Sequence, residues 1–535
     1  MKQYIKYSLI SIPYGIYFLL SYIDSVWFFF GEREIYRKII LIGFVVHLSY
    51  LYYIQKNSYL SFIQNKNVGM TISFLGFLGF IFFPIQNLNL GDGILLVENA
   101  ILENLTYGYT VIPDEILEGI VHSTVFLLLK NYTINPMIAY KIVSTLMGAI
   151  FLGVLFINFK GTKEYFLIVI LFLSQGGSLL FYGYTENYTI VSLLIFVTIL
   201  YGFNQLKKKE YSTKSIIFIA LLAGFSALTH LISGFMALGL IYFCIIVSNE
   251  NNESIKIMDN KDFYKNAGMA LGFALGVIIP VYFYFLFFSD LRIEIGLAHA
   301  VHPPFLTLKK IFTFNHFKDL ALESIFMVMP LAFSLKYIYF TDKKFLLSIL
   351  NKNEFRFLIL IFLGFFMHFL TYNPLLGYPS DWDLMGFIWI PLFLFVVQLA
   401  IENQKPFIEI IPLYVVLYVV ILFHAHNLKI TEVQASKIVF LEDSIREFLK
   451  EYKLTENNID AKFKKSYLHT GYFLFRTHQK IKREGDEELL RMNESLQKEF
   501  RGGEIIKDRE KWKVFLSNAT EFHHLYLERI EKNHK

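Results

Sequence analysis

A long polar segment, residues 87–136, carries the first carboxylates in this sequence that could do chemistry. Asp92 stands between Gly91 and Gly93, where the backbone can approach a ligand closely because glycine has no side chain. Carboxylates act as general bases and accept hydrogen bonds from hydroxyl groups. Asp92 is therefore a candidate functional residue, with a solvated loop acid as the alternative.

Glu186 lies in the segment 183–188, whose sequence is Gly-Tyr-Thr-Glu-Asn-Tyr, at the end of an apolar stretch. A carboxylate close to hydrocarbon is energetically costly, and such residues tend to mark a function. The alternative is that Glu186 extends to the membrane interface, among tyrosines that favour that level.

Two further carboxylates, Asp381 and Asp383, flank Trp382 near the start of another apolar stretch. Carboxylates two residues apart can share a divalent cation, so a metal is possible here but its identity is open. The alternative is that Ser380 or Asp381 caps the helix that follows.

Basic residues gather in the segment 289–319, and four of them, Arg292, His302, Lys309 and Lys310, could bind an anionic substrate. Lysine and arginine are suitable phosphate partners, although a loop that contacts lipid headgroups would have the same composition. A zinc site at His299 and His302 is disfavoured, because two prolines follow and no cysteine or carboxylate joins them.

The elements that must position these residues are membrane spans. The 535 residues are 55% hydrophobic and 18% aromatic, and the apolar residues occur in blocks that are almost free of charge. A helix needs about 20 apolar residues to cross about 30 Å of hydrocarbon. This composition excludes a soluble enzyme and a disordered chain, and the single cysteine, Cys244, excludes a disulfide scaffold.

The sequence predicts an all-α polytopic membrane protein with about 13 spans. The block Ser215–Val247 is too long for one crossing, so we interpret it as two short spans with a hinge near His230, which is either a structural or a substrate-binding residue. The other predicted spans are Tyr7–Phe30, Ile39–Tyr53, Val68–Ile85, Met137–Asn158, Tyr165–Tyr182, Tyr188–Phe203, Ala267–Phe288, Leu320–Phe340, Phe355–Tyr372, Leu384–Ile401 and Phe407–Phe423.

Lysine clusters orient the predicted spans. Lys207–Lys209 and Lys343–Lys344 should both be cytoplasmic, which requires an even number of crossings between them. The N-terminus is then inside, and the candidate residues above fall outside. Residues 426–535 form a charged tail with 22 basic and 19 acidic residues, which we predict to be helical, soluble and extracytoplasmic.

Helical periodicity predicts two amphipathic surface helices within the polar segment 87–136. The first carries Glu98 and Glu103, and the second, after Pro113, carries Glu115 and Glu118. For Glu103, Glu115 and Glu118 we expect solvated acids on a structural lid. In the tail, the same pattern predicts helices at Ser436–Lys453, Ile459–Arg483, Glu487–Phe500 and Arg509–Lys532.

The chain resembles the GT-C superfamily, integral-membrane glycosyltransferases that take a sugar from a polyprenyl-phosphate carrier. The resemblance covers roughly residues 68–425 and rests on an early acid in the first large external loop, on surface helices in that loop and on two motifs. The segment 183–188 is similar to a G-Y-x-E-N-Y turn of a bacterial branch, and the segment 379–384 to its P-x-D-W-D-L element. GT-C proteins often carry two adjacent acids in the loop, whereas Gly93 follows Asp92 here.

The resemblance implies a catalytic base at Asp92, with Glu98 as the alternative because of that departure. It implies that Glu186, Asp381 and Asp383 hold sugar hydroxyls, or a divalent cation if one is used, and that the basic segment binds the phosphate. The implied partners are the lipid bilayer, a polyprenyl-phosphate sugar donor and a glycan, lipid or protein acceptor; no nucleic acid and no certain cofactor are expected. The location would be the bacterial cytoplasmic (inner) membrane.

Two other functions compete with a transferase. A transporter or flippase of lipid-linked sugars would place ionisable groups near the midplane and duplicate its halves. Only a few charges lie within the predicted spans, and no internal repeat is visible. A polysaccharide polymerase or ligase would rely on arginine and histidine in its large loop, whereas this loop is acidic. The transferase is therefore the favoured function.

Overall fold

A computed structural model describes residues 2–22, 33–56, 65–88, 91, 93, 96–97, 115–129, 136–209, 212–249, 261–288, 304–374, 381–428, 432, 434–436, 438–439, 461–501, 505 and 509–531. The described residues are nearly all helical, and their one β-bridge joins Phe305 to Tyr372. This confirms the predicted all-α class. Four candidate site residues, Asp92, Glu98, Arg292 and His302, lie outside the described residues.

The chain divides into two compact units. The first comprises residues 1–94, 111–129 and 137–430, and the second comprises 95–110, 130–136 and 431–535. The α-helices of the first unit are α1 Lys2–Leu20, α2 Arg33–Lys56, α3 Lys66–Phe82, α4 Ile116–Leu129, α5 Met137–Phe159, α6 Tyr165–Leu173, α7 Thr189–Lys208, α8 Thr213–Thr229, α9 Ala237–Ser248, α10 Lys261–Phe288, α11 Leu308–Ile311, α12 Phe314–Thr341, α13 Lys343–Ile349, α14 Asn353–Thr371, α15 Trp382–Met385, α16 Trp389–Glu402 and α17 Gln404–Asn427.

Nine helical stretches among the described residues are long and apolar enough to cross a membrane. They fall at Arg33–Tyr53, Met137–Phe159, Thr189–Lys208, Leu231–Ser248, Lys261–Tyr284, Phe314–Thr341, Asn353–Thr371, Trp382–Glu402 and Gln404–Asn427. Helices α3, α4 and α8 are apolar but shorter. The protein is therefore a polytopic membrane protein, while the count of 13 spans stays a prediction.

The structure confirms one predicted break between helices and contradicts one predicted continuous helix. The hinge near His230 is confirmed, because α8 ends at Thr229 and a 3-10 helix, Leu231–Met236, leads into α9. The predicted span Tyr165–Tyr182 is wrong as one continuous helix, since α6 ends at Leu173 and a 3-10 helix, Gly176–Phe181, follows.

Close packing explains this break. A side chain at Gly176 would collide with the carbonyl oxygen of Phe326, and one at Gly177 would collide with the indole of Trp389. The tight glycine turn therefore lets two other helices approach the backbone directly. The ring of Phe172, at the end of α6, stacks on the ring of Phe151, with 4.4 Å between the centroids. The glycine turn and this aromatic packing position the start of the segment 183–188.

The second unit contains three described helices, α18 Ala461–Glu484, α19 Glu487–Arg501 and α20 Arg509–Tyr526. They confirm three of the four predicted tail helices, and most of the fourth, 436–453, lies outside the described residues. A buried amide joins the first two, because Asn493 Nδ2 donates to the Leu474 carbonyl at 2.9 Å and to Thr477 Oγ1 at 3.0 Å. This satisfied polar contact fixes the register of the two helices.

Candidate functional site

The segment 183–188 is the centre of the candidate site. Gly183 has φ +69°, a left-handed conformation that favours glycine, and its N–H donates to Ser144 Oγ at 2.9 Å. The chain then passes through buried residues to Thr189, where α7 begins. The turn therefore holds Glu186 and Asn187 at the start of a membrane helix, inside the protein.

Tyr184 connects this segment to the motif at residues 381–383. Its ring lies 5.4 Å from that of Trp382, and its hydroxyl group interacts with Asp383. Burial, with the negative charges of Asp383 and Glu186, raises the pKa of Tyr184 well above its ordinary value. The tyrosine therefore stays neutral and lies among carboxylates.

Asp381 directly precedes α15, yet its side chain makes no capping hydrogen bond. The capping alternative for Asp381 therefore has no support in the structure. Asp383 accepts the N–H of Leu384 at 2.8 Å, and both aspartates are buried. Their carboxylates thus lie inside the protein at the start of a span.

A fourth carboxylate, Glu323 on α12, joins this group. It is 0% exposed, and it is close enough to Asp381 and Asp383 for their charges to act on it. Neither of its carboxylate oxygens has a hydrogen-bond partner among the described residues. We call Glu186, Glu323, Asp381 and Asp383 the acidic cluster.

Glu323 lies within the predicted span Leu320–Phe340, but it was not among the site residues that the sequence predicted. The signal was available, because an ionisable residue at membrane depth is by default a functional candidate. The sequence does not show which residues lie next to Glu323 in the fold. Phe326, one turn further along α12, packs edge-to-face on Trp382 at 5.4 Å, and this contact brings Glu323 to the aspartates.

The polar segment that carries the predicted base begins beside the acidic cluster. Gly91 has φ +89°, and a side chain there would collide with Glu186 and approach the Tyr184 hydroxyl to 3.0 Å. At Gly93 an added side chain would meet the carbonyl oxygen of Thr185 at 3.2 Å. The two glycines that flank Asp92 therefore lie against the segment 183–188.

A second group of buried polar residues contacts Asn187 and the first turn of α7. Glu118 Oε1 accepts the N–H groups of Ile190 and Val191 at 2.9 and 3.1 Å, so this carboxylate caps the first turn of α7. Its helix, α4, rises about 21 Å and is too short to cross about 30 Å of hydrocarbon. Burial raises the pKa of Glu118 to about 8.

Glu115 contacts both Asn187, in the segment 183–188, and His230, at the hinge between α8 and α9. Its Oε2 accepts from Asn187 Nδ2 at 2.7 Å, and its Oε1 lies 3.3 Å from His230 Nε2. His230 Nδ1 accepts the N–H of Ile232 at 3.1 Å, so the ring proton is on Nε2 and points to Glu115. Both ring nitrogens of His230 are engaged, which favours the structural alternative, and a substrate-binding role stays a prediction.

His122 completes this group. Its ring stacks on Tyr140 at 4.1 Å, and its Nδ1 lies 2.9 Å from the Glu118 carbonyl oxygen. Burial lowers the pKa of His122 to about 4. We call Glu115, Glu118, His122, Asn187 and His230 the capping cluster. The expectation that Glu115 and Glu118 are solvated is wrong, because both are buried where α4 packs against α5 and α8.

Lys309 and Lys310 are exposed on the short helix α11. The segment before it is attached to the end of α14, because the Leu306 N–H donates to the Thr371 carbonyl at 2.8 Å. Large apolar side chains flank the two lysines, and Phe314 is 82% exposed. This combination of cations and exposed apolar surface fits the level where headgroup and hydrocarbon meet.

The acidic cluster and the predicted cytoplasmic lysines lie at opposite ends of the same helices. Glu186 precedes α7, whose last turn carries Lys207 and Lys208 about 30 Å away. Glu323 lies in the first half of α12, and Lys343 follows the last residue of that helix. The five candidate residues that the structure describes at the acidic end, Glu186, Lys309, Lys310, Asp381 and Asp383, therefore share one end of the first unit.

In the described part of the chain, no group of three or more histidine, cysteine, aspartate or glutamate side chains has the geometry to hold a metal ion. A divalent cation shared by Asp381 and Asp383 therefore stays a prediction. Hydrogen bonding to a ligand is the chemistry that the acidic cluster supports directly.

No protein-family model and no curated protein sequence matches this chain. Two solved structures do, both crystal structures of ArnT from Cupriavidus metallidurans, one bound to undecaprenyl phosphate and one in the apo state. The identities are 10% and 12%, and each match covers 86% of this chain and 74% of the other. The TM-score is 0.40 in both cases.

Proposed function

We propose that this protein is a glycosyltransferase that moves a sugar from a polyprenyl-phosphate carrier to an acceptor outside the cytoplasm. The observation that supports this most is the convergence of Glu186, Glu323 and the pair Asp381 and Asp383 from three distant segments. They meet at one end of the spans, next to Gly91. Carboxylates accept hydrogen bonds from sugar hydroxyls, and their membrane depth suits a donor whose tail stays in hydrocarbon.

The proposed reaction is a single displacement. Asp92 takes the proton of the acceptor hydroxyl as its oxygen attacks the anomeric carbon, the bond from that carbon to the phosphate oxygen breaks, and polyprenyl phosphate leaves. The close approach of Gly91 and Gly93 to the segment 183–188 supports Asp92 as the base. Glu98 is the alternative base.

The leaving phosphate needs positive charge nearby. Lys309 and Lys310 support such a role, because their segment is hydrogen-bonded to the end of α14 at Thr371, which precedes Asp381 by about ten residues in the sequence. The exposed apolar residues beside the two lysines offer a surface for the prenyl chain. Arg292 and His302 belong to the same proposed phosphate site.

We place the reaction on the extracytoplasmic side of a bacterial inner membrane. The support is the opposite placement of the acidic cluster and the lysines that end α7 and follow α12, since cytoplasmic loops are rich in lysine. The tail would lie outside as well. A reporter enzyme fused after Lys535 should then be active only outside, and one inserted near Lys208 only inside.

The deciding experiment supplies purified protein with radiolabelled polyprenyl-phosphate sugars and with glycan, lipid and protein acceptors. The proposal expects label on an acceptor that carries no polyprenyl chain. Movement of the labelled lipid across vesicles without any new covalent bond would instead identify a transporter or flippase. Growth of a polymer on the carrier would identify a polymerase.

A further inference from the structure

A pocket with a volume of about 430 Å³ lies at the opposite end of the spans from the acidic cluster. On α12, which carries Glu323 in its first half, the pocket is reached about 27 Å further along, at Thr341. It is lined by the end of α12, the start of α17 and the first turns of α1. The volume is in the range of small-molecule sites, about 300–1,000 Å³, and the proposed transfer reaction uses none of the lining residues.

Hydrogen bonds from three helices hold one wall of the pocket, at Glu409 of α17. The Lys6 ammonium of α1 pairs with Glu409 Oε1 at 2.6 Å, and the Tyr337 hydroxyl of α12 donates to Oε2. From α2, His47 Nε2 donates to the Glu409 carbonyl oxygen at 2.8 Å. Because each of these contacts joins α17 to another helix, the pocket is formed before a ligand arrives.

Asp342 and Lys405 line the same pocket with opposite charges, yet neither forms an ion pair with the other or with another described residue. The oxygens of Asp342 accept from two neutral donors, the Phe345 N–H at 3.1 Å and Asn403 Nδ2 at 3.1 Å. Lys405 is exposed at the start of α17, where the helix dipole favours a negative group. The other two charges of the pocket pair with each other. A ligand with both a positive and a negative group would match the two remaining charges.

The pocket borders exposed apolar side chains. Phe340 is one of its lining residues and is 55% exposed, and Tyr339 before it is 42% exposed. The Lys343 ammonium lies 5.1 Å from the centre of the Tyr339 ring. Aromatic rings with lysines beside them are typical of the level where headgroups meet hydrocarbon. A lipid is therefore the ligand that suits this pocket, with its headgroup inside and its acyl chains along the exposed apolar surface.

We infer that the pocket binds the headgroup of a phospholipid that carries a primary ammonium group as well as its phosphate, as a phosphoethanolamine lipid does. The phosphate oxygens accept hydrogen bonds from Lys405, and the ammonium group donates to Asp342. A headgroup without a cation leaves the charge of Asp342 unmatched and adds negative charge beside it. A trimethylated ammonium keeps the positive charge but has no N–H to donate. The bound lipid joins α12 to α17, and this role is independent of the proposed transferase.

The test compares three lipids with identical acyl chains: phosphatidylethanolamine, phosphatidylcholine and phosphatidylglycerol. Each is titrated against the purified, delipidated full chain in detergent, and native mass spectrometry gives the dissociation constant of the first bound lipid. Phosphatidylethanolamine should bind roughly three- to tenfold more tightly than either of the others, since two partly exposed charge pairs each contribute a small factor. Free O-phosphoethanolamine, which has no acyl chains, should bind more weakly than the lipid.

Two variants separate the charged groups of the pocket. Asp342→Asn removes the charge and keeps an acceptor for the Phe345 N–H, so phosphatidylethanolamine should bind no more tightly than phosphatidylcholine. Lys405→Gln removes the partner of the phosphate, which all three lipids share, so it should weaken each of them roughly two- to fivefold. Lys344→Gln and Glu354→Gln are the matched controls. Each removes one charge at the same end of the spans, outside the pocket, and should change no affinity.

Each outcome decides the inference. Equal affinities of the three lipids, or a preference for ethanolamine that persists in Asp342→Asn, would overturn it. Equal weakening by Lys405→Gln and Lys344→Gln would indicate general attraction of headgroups and would overturn it too. If Asp342→Asn does not fold, Lys405→Gln still decides, since Lys405 is exposed. Free O-phosphoethanolamine that binds as tightly as the lipid would overturn the lipid as the ligand and assign a soluble compound with the same charged groups.

Discussion

Two groups of buried acids lie near the segment 183–188, and they differ in which hydrogen-bond donors their oxygens meet. In the capping cluster, Glu118 accepts two backbone N–H groups and Glu115 accepts an amide and faces a histidine. In the acidic cluster, Glu323 has no donor among the described residues, and its neighbours are other carboxylates.

The difference separates a structural role from a binding role. Burial alone does not, since Glu118 and Glu323 are both 0% exposed. Glu118 accepts two backbone N–H groups through Oε1, although its Oε2 has no hydrogen-bond partner among the described residues, and these bonds stabilise the fold. Glu323 has no donor on either oxygen among the described residues, which points to a ligand. Substitutions in the two clusters should therefore act on different quantities, the free energy of unfolding for one and turnover or affinity for the other.

The largest expected effect belongs to Asp92, which stands in the sequence between the two glycines that contact the segment 183–188. Asp92→Asn keeps the shape and removes the proton acceptor, so turnover should fall by about two to four orders of magnitude. Donor affinity and the unfolding temperature should change little. Glu98→Gln is the control and should be milder. If the two variants exchange behaviour, Glu98 is the base, and if neither matters, the segment 87–136 is not catalytic.

In the capping cluster, Glu118→Ala leaves the N–H groups of Ile190 and Val191 without their acceptor in a buried place. The expected loss in the free energy of unfolding is about 2–4 kcal/mol, because each unsatisfied donor costs about 1–3 kcal/mol. Thermal unfolding in detergent measures it. Glu118→Gln keeps an acceptor and should lose less.

The matched control for the capping cluster is Glu34→Ala. Glu34 is exposed and pairs with Lys38 in the next turn, so its removal should not change the unfolding temperature measurably. A Glu118→Ala variant that unfolds like the wild type but loses turnover would place Glu118 in the site and end the distinction between the clusters.

A smaller effect is expected for the lysines of α11. Lys309→Gln with Lys310→Gln should raise the apparent KM for the donor by roughly three- to tenfold and leave kcat nearly unchanged, because exposed charges contact phosphate equally in the ground and transition states. Lys343→Gln with Lys344→Gln removes the same charge at the other end of α12 and should do nothing. Equal effects of both pairs would indicate general headgroup binding.

The smallest effect concerns pH. Because burial raises the pKa of Glu118 from 4.5 to about 8, the folded protein binds a proton there that the unfolded chain has lost between those values. This contribution to stability is complete below pH 4.5 and declines as the pH rises towards 8. His122, with a pKa lowered to about 4, acts in the opposite direction and only below its ordinary value of 6.5.

Between pH 6.5 and 8.5, the wild type should therefore lose a few degrees of unfolding temperature relative to Glu118→Gln, which cannot titrate. The measurement is a series of melting curves for both proteins in the same detergent. Parallel curves across this range would mean that Glu118 keeps an ordinary pKa.

Hydrophobic blocks and helical periodicity predicted most helices of this protein correctly, including the hinge at His230 and three tail helices. They failed at Tyr165–Tyr182, where the segment 174–178, Ser-Gln-Gly-Gly-Ser, interrupts the apolar run and a Gly-Gly pair is a turn signal. The helix ends there because α12 and Trp389 occupy the space a side chain would need. Such a constraint is set by residues more than a hundred positions away.

Local composition was enough to predict the class of the protein, because each crossing needs about 20 apolar residues in a row. It also singled out Glu186, Asp381 and Asp383, whose glycine and aromatic neighbours are local too. Tertiary packing, in contrast, determines which acids accept hydrogen bonds from the protein. Glu115 and Glu118 were expected in water and lie buried under hydrogen bonds, whereas Glu323 lies among carboxylates, because the donors that reach a carboxylate come from whichever helices pack against it.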